Sequence, residues 1–571
     1  MAPLKIQLRR LALWLAALLP AVASATRTQP SEDHLVSRRA LSKRFIDEAG
    51  HYNMSFYHIN DVHAHLDEFS SSGTDCPQKE KGCRGGYARV RTVLQETRPS
   101  HPDSLFLNAG DEFQGTMFFT KYGGEKIAET LNLLGVDAMT LGNHEWDRGD
   151  EYLGEFLANL TFPIVSANVI SKNEILNKTV KPFHIFDKYE LAVIGVTTPD
   201  TADISSVDKD VTSFTEVVSS VQNAIDFIRS TTNITRIVAL THIGYQDDIL
   251  LAQKTSGLHL IIGGHSHTKL GSAPDAEGSY PTIAQNKDGD EVFVVTAWRW
   301  GEYLGYIDVT YDADGKILEY HGAPINLTNQ TKLEPELQAQ VDTWKAPFAE
   351  ELAKVVGQSN VVLDQTTCQK QECLLGDFIA DAMVASRPKA EIPTFGIMNA
   401  GGVRATIDTG EVTMGEVLTA FPFGNSIVEL TVNGDRVWKT LEGIVSQVSQ
   451  TNGRPVTSFV QVSREMAITY DPTAPQGSRL VSVTAEGKPL DREANYRMIT
   501  IDFLAKGGDN FFDPAFPNFA TLKLLEEALV DYIGATSPID VALDGRIKTG
   551  THRKCKRRRS KTLAPQQVRQ V

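Results

Sequence analysis

The sequence predicts an α/β protein of two or more domains, and three observations carry that prediction. At 571 residues the chain is longer than one hydrophobic core serves. From about Ser55 onward, short β-branched or aromatic runs alternate with longer helical patterns such as Glu125 to Leu134 and Phe214 to Arg229. Five apolar, strand-like runs also end in polar residues of metal-ligand type. These are Phe56 to Ile59 before Asp61 and His63, Ser104 to Leu107 before Asp111, a short run before Asn143 and His144, Arg236 to Leu240 before His242, and Leu258 to Ile262 before His265 and His267. The ends of strands are where α/β sheets place their sites.

Taken in order, residues 1–25 carry Lys5, Arg9 and Arg10, the apolar run Leu11 to Val22, and then Ala23-Ser24-Ala25, the pattern of a secretory signal peptide cleaved after Ala25. That run is too short to span a bilayer, and no other stretch offers the ~20 apolar residues a spanning helix needs. The C-terminus is polar and carries no lipid-anchor signal. The mature protein is therefore expected to be secreted, with no stable membrane anchor. A formal net charge of -15 and the lack of a basic stripe in the body of the chain argue against nucleic acid as a partner.

Residues 26–50, with Arg38-Arg39 and Lys43-Arg44, read as a pro-segment or as an unstructured N-terminus. Residues 51–330 form the first α/β domain. Residues 331–354 read as a connecting helix broken at Pro347, or as an amphipathic surface helix. Residues 355–550 form a second domain with a helical start (Leu374 to Val384) and strands such as Ile427 to Val432 and Met466 to Tyr470. Residues 551–571 form a basic tail. The cysteines suit an oxidising compartment: Cys76 with Cys83 and Cys368 with Cys373 are read as two local disulfides, leaving Cys555 over. A zinc site from the four lacks the usual C-x₂-C spacing. Sequons at Asn53, Asn159, Asn177, Asn233, Asn326 and Asn329 can be glycosylated on export.

The first domain carries metal chemistry. Asp61 and His63, at i and i+2, face one side of an extended segment. Gly110 lets the backbone turn so that Asp111, whose carboxylate has two oxygens, can bridge two cations. Asn143 and His144 add an amide oxygen and an imidazole, and Asp147 is close enough to orient the His144 ring. His242, His265 and His267 complete a set of ligands sufficient for two divalent ions. Two such ions can activate water and hold both ends of a phosphoryl displacement.

In order and residue type, Asp61-x-His63, Gly110-Asp111, Gly142-Asn143-His144-Glu145, His242 and Gly264-His265-x-His267 resemble the signature of the calcineurin-like metallophosphoesterases. The resemblance implies a four-layer α/β/β/α first domain. One ion would be held by Asp61, His63 and His267, the other by Asn143, His242 and His265, with Asp111 bridging. His144, oriented by Asp147, would stabilise the transition state or protonate the leaving oxygen. Zinc, manganese and other ions suit this donor set alike.

In the second domain, Asn399-Ala400-Gly401-Gly402-Val403-Arg404, Phe421-Pro422-Phe423-Gly424 and the segment Asp502 to Asp509 combine guanidinium, amide, aromatic and carboxylate groups on turn-prone backbone. They resemble the C-terminal substrate domain of the 5′-nucleotidase family. By that resemblance Asn399 and Arg404 would meet the phosphate side of a nucleotide substrate, Phe423 and Phe503 would stack on the base, and Asp509 would bind the ribose. Gln369 and Lys370 depart from the animal ectoenzymes, which place an arginine directly after the first cysteine. The family's C-terminal domain rotates, so Leu333 to Ala353 is expected to form part of a hinge. The expected activity is hydrolysis of nucleoside 5′-monophosphates. Apyrase or UDP-sugar hydrolase activity, and nucleotide binding with little catalysis, are the alternatives.

Overall fold

A computed structural model describes Ile46 and residues 50–551 apart from 77, 78, 518 and 520. The signal sequence, almost all of the pro-segment, the basic tail and Cys555 lie outside the described residues. Two large sheets frame the first domain. The larger has the strands Tyr52–Ile59, Ser104–Asn108, Ala138–Thr140, Ile164–Val165 and Val180–Lys181 running in one direction, with Tyr303–Tyr311 antiparallel at the flank. The other is built on the parallel strands Leu191–Thr197, Arg236–His242, Leu260–Gly263 and Glu291–Thr296.

These strands are buried on both faces, which is why they read as continuous apolar runs. Their side chains alternate between two cores. Phe56, Leu105, Leu107, Val193, Val238, Leu240 and Ile262 meet in the seam between the sheets. Their neighbours Tyr57, Phe106 and Met139 lie instead against the helices Tyr87–Thr97, Glu125–Leu134 and Gly149–Ala158. On the far side, Ala192, Ile194, Ile237, Ala239 and Ile261 pack against Val217–Thr231 and Tyr245–Lys254. The result is the four-layer α/β/β/α sandwich.

The helix expected from Phe214 starts later. Phe214 ends a short strand, and the Glu216 side chain caps the helix by accepting from the amides of Val218 and Ser219.

The connecting segment comprises the helix Pro335–Lys345, a 3₁₀ turn Ala346–Phe348 that holds Pro347, and a last turn Ala349–Leu352. Its apolar stripe of Leu337, Val341, Trp344, Phe348 and Leu352 is part of the first domain's core. Beyond it, a five-stranded sheet centred on Thr394–Asn399, Asn495–Ile501 and Ser426–Asn433 shares one core with the helices Leu374–Ala385, Gly434–Ser446 and Leu525–Thr536. Disulfides join Cys76 to Cys83 and Cys368 to Cys373. All six sequon asparagines are exposed, and no described helix is long and apolar enough to cross a membrane.

Candidate active site

The parallel strands of both sheets deliver their C-terminal ends to one place. Ile59 leads to Asp61 and His63, Asn108 to Asp111, Thr140 to Asn143, and Gly263 to His265 and His267, while His242 is itself the last residue of its strand. The loops turn there through left-handed backbone: Asp61 (φ 52), His63 (φ 51), Asp111 (φ 59), His265 (φ 83) and His267 (φ 48) all adopt it, and for residues other than glycine this is costly. Gly110, at φ 87, is required by contact as well, since a Cβ there would lie 2.4 Å from the Gly142 nitrogen. Two loops from neighbouring strands thus touch backbone to backbone.

Three overlapping groups of potential metal donors result here: Asp61 with His63 and His267, His63 with Asp111 and His144, and Asp111 with His242 and His265. Asp111 lies 3.8 Å from His63 Nε2 and 3.1 Å from His242 Nε2, linking the first group to the last. Backbone carbonyls fix the tautomers: His63 Nδ1 donates to Phe113 (3.0 Å) and His242 Nδ1 to Ala109 (2.7 Å), so each presents Nε2. Burial pushes the His63 and His265 pKa values down, His265 to about 4, and keeps both imidazoles neutral donors. Burial also opposes a proton on His242, but the Asp111 and Asp61 carboxylates outweigh it and raise that pKa to about 10. This centre calls for positive charge. His242 Nε2 and Asn143 Oδ1 are buried without a hydrogen-bond partner, as ligand atoms for a cation are. The donor set fits two borderline divalent ions, with Asn143 supplying the amide oxygen.

His144 stands beside this centre. Its Nδ1 donates to Asp147 Oδ2 at 2.7 Å and its amide to Asp111 Oδ1 at 2.9 Å. Burial lowers its pKa, but Asp147 and Asp111 more than offset that and hold it above the ordinary value.

A cavity of about 1010 Å³ opens from the centre and is lined by both domains. Asp111, Asn143, His144, Asp147, His265 and His267 line one wall, and Asn399, Arg404, Phe423, Phe503 and Asp509 the other. Asp61, His63 and His242 lie deeper, each essentially inaccessible to solvent. The walls touch: Arg404 donates to His63 Nε2 at 3.2 Å, and the Phe423 ring stacks on His144 with centroids 5.8 Å apart. Asp509 is held by Asn399 Nδ2 (2.7 Å) and the Thr457 hydroxyl (3.0 Å). Phe503 lies over Gly508, where a Cβ would come within 2.4 Å of the ring. Gln369 lines the cavity as well and accepts from the Phe459 amide at 3.2 Å.

Sequence reasoning gave no role to several supports. The buried Glu145 carboxylate accepts from the amides of Asp111 (3.0 Å), Glu112 (2.7 Å) and Gly142 (2.5 Å), tying the two loops together. Asn60 bonds Asp61 Oδ2 at 2.6 Å and the Trp298 carbonyl at 2.7 Å. Arg299, on the first domain's wall, follows the apolar run Val292 to Val295. An apolar run ending in polar groups was the available signal for it.

The calcineurin-like phosphoesterase family model matches residues 54–269, and the 5′-nucleotidase C-terminal domain model matches 355–517. Fold and site thus define a metallophosphoesterase joined to a 5′-nucleotidase substrate domain. The chain is 32% identical over 544 residues to the 5′-nucleotidase of Homo sapiens, covering 88% of this chain and 92% of that one. It is 30% identical over 526 residues to the apyrase of Tabanus yao, covering 87% and 94%. The crystal structure of the 5′-nucleotidase precursor from Thermus thermophilus superposes with a TM-score of 0.80 at 33% identity, covering 87% of this chain and 99% of that one. The chain belongs to the 5′-nucleotidase family.

Proposed function

We propose that this chain is a secreted two-metal phosphohydrolase that cleaves nucleoside 5′-monophosphates to nucleoside and phosphate. The observation that carries this reading is the single cavity whose one wall is a metal-donor set and whose other wall offers a guanidinium, two aromatic rings and a carboxylate. Asp61, His63 and His267 would hold one ion and Asn143, His242 and His265 the other, with Asp111 shared. When bound, the ions supply acidified water and neutralise charge on the phosphoryl oxygens. Arg404 takes a phosphoryl oxygen, Phe423 and Phe503 receive the base, and Asp509, steadied by Asn399, accepts from ribose hydroxyls. As water adds to phosphorus and the phosphorus–O5′ bond breaks, His144 gives its Nε2 proton to O5′, and Asp147 offsets the charge on the imidazolium.

The leader at 1–25 supports export, and the exposed sequon asparagines are the positions to carry glycans. The family matches at 54–269 and 355–517 support a reading with one domain at 51–330 and a second at 355–550.

The test is phosphate release from AMP, ADP, ATP and UDP-glucose, with and without chelation and restoration of Zn²⁺ or Mn²⁺. Release from AMP alone, abolished by chelator, is expected. A second reading, an apyrase, rests on the likeness to the Tabanus yao protein. Turnover of ADP equal to or better than AMP would replace the first reading with the second.

A further inference from the structure

Five cationic side chains line the cavity: Lys209, Arg299, Arg404, Arg454 and Lys506. Three are already ion-paired, two of them sharing one carboxylate. Lys209 and Arg454 both pair with Asp203, at 2.6 and 2.9 Å, and Lys506 pairs with Asp502 at 2.9 Å. Among the described residues the Arg404 guanidinium bonds only His63 and, at 3.5 Å, the Gly401 carbonyl.

Arg299 is the extreme case. Among the described residues it has no hydrogen-bond acceptor and no carboxylate within ion-pair distance, and its Nε is buried without a partner. Glu302, the nearest acidic residue in sequence, is taken by Arg84 at 2.6 Å. A guanidinium drawn from water with no hydrogen-bonded counter-ion is unfavourable, so this wall suits an anion.

The position of Arg299 is fixed. Its loop is pinned to the Asn60-Asp61 loop by three hydrogen bonds: Asn60 Nδ2 to the Trp298 carbonyl (2.7 Å), the Ala297 amide to Asn60 Oδ1 (2.8 Å) and the Trp300 amide to the Asp61 carbonyl (2.7 Å). The guanidinium carbon lies over the Trp300 ring, 3.9 Å from its centroid, so less freedom remains to be lost on binding. Both Arg299 and Arg404 bear electrostatically on Asp61 and on His267, and each disfavours the other's charge. They converge on the same end of the metal centre from opposite domains.

We propose that Arg299 is a phosphate-binding residue, closing on the phosphoryl group from the first domain while Arg404 closes from the second. The proposal rests on the reading of this cavity as a phosphomonoesterase site. It also supplies a second guanidinium to a cleft in which the side chain at 369 is the neutral Gln369. A planar guanidinium suits two phosphoryl oxygens at once.

The test uses the full metal-loaded protein and two probes, inorganic phosphate and adenosine, with binding read by calorimetry and metal content by elemental analysis. Arg299→Gln is expected to weaken phosphate roughly 10- to 100-fold, the scale of a charge-assisted hydrogen bond. It should leave adenosine affinity and metal content unchanged. Arg299→Lys, which keeps the charge without the fork, should recover part of the loss and serves if the glutamine variant does not fold. Unchanged phosphate affinity in either variant overturns the proposal, as does parallel weakening of phosphate and adenosine, which would mark a structural role. Because phosphate binding is measured directly, failure of the wild-type protein to hydrolyse AMP would sink the functional reading without obscuring this result.

Discussion

Removing the Glu145 side chain should loosen the metal centre from beneath. Its carboxylate accepts from three amides on two loops, at 3.0, 2.7 and 2.5 Å, and is fully buried. Glu145→Ala would orphan three buried N–H donors, each at about 1–3 kcal/mol. Water admitted to the vacated space recovers part of the loss, so about 3 kcal/mol is the expected net cost. Spread over a domain of this size, that lowers Tm by about 6–12 °C. Differential scanning calorimetry, run beside elemental analysis, measures both consequences, because Asp111 and the Gly142-Asn143 backbone would shift together and metal occupancy should fall with Tm. Glu145→Gln serves as the comparison. It preserves shape but sets an amide NH₂ against backbone donors, and so should destabilise by an intermediate amount. A Glu145→Ala protein melting within about 2 °C of wild type, with full metal content, would refute the idea that this carboxylate holds the loops.

Three further outcomes are expected. Asp111→Asn should strip metal and activity together, whereas His144→Ala should retain the metals and lose ~10²–10⁴-fold in kcat; elemental analysis and steady-state kinetics separate the two. Phe423→Ala and Phe503→Ala should raise KM for AMP while leaving inorganic phosphate inhibition unchanged. Loss of soluble protein without any change in affinity would instead make both rings core residues. Asp377 is buried, its carboxylate oxygens have no hydrogen-bond partner among the described residues, and burial raises its pKa to about 8 against the pull of Arg546, 3.6 Å away. Its folded pKa lies above its unfolded one, so its contribution to stability is complete below about pH 4 and is lost by about pH 8. Over that window the loss approaches 1.4 kcal/mol per pH unit at most. Tm measured from pH 5 to 8 should fall more steeply for wild type than for Asp377→Asn, and parallel curves would show that this carboxyl does not titrate in the window.

Much of this centre was legible in the chain because its ligands sit directly after strands buried on both faces, and such strands spell uninterrupted apolar runs. Asp61, Asp111, His242 and His265 are visible for that reason. The same property leaves the two-sheet arrangement to the family resemblance: Leu191 to Val196 and Phe56 to Ile59 look alike, and nothing local says that Val193 meets the inter-sheet seam while Ala192 meets a helix. Arg299 and Glu145 were missed for a different reason. Their significance lies in what surrounds them, the lack of a hydrogen-bond acceptor among the described residues in one case and three converging amides in the other, two of them 33 and 34 residues away, where no motif shows them. The segment expected to form part of a hinge, Leu333 to Ala353, showed its helical period and its proline. Only packing reveals that Leu337 through Leu352 anchor it to the first domain.

The left-handed backbone at Asp61, His63, Asp111, His265 and His267 has a thermodynamic consequence. Each such conformation costs of order 1–3 kcal/mol, and the surrounding sandwich must hold it. Glycine at His265 or His267 would relax the backbone while deleting one ligand, so the apoprotein would gain stability as its hold on an ion weakened. Evolutionary tolerance at these positions is thus governed by chemistry in opposition to stability, and stabilising changes must be sought elsewhere in the molecule.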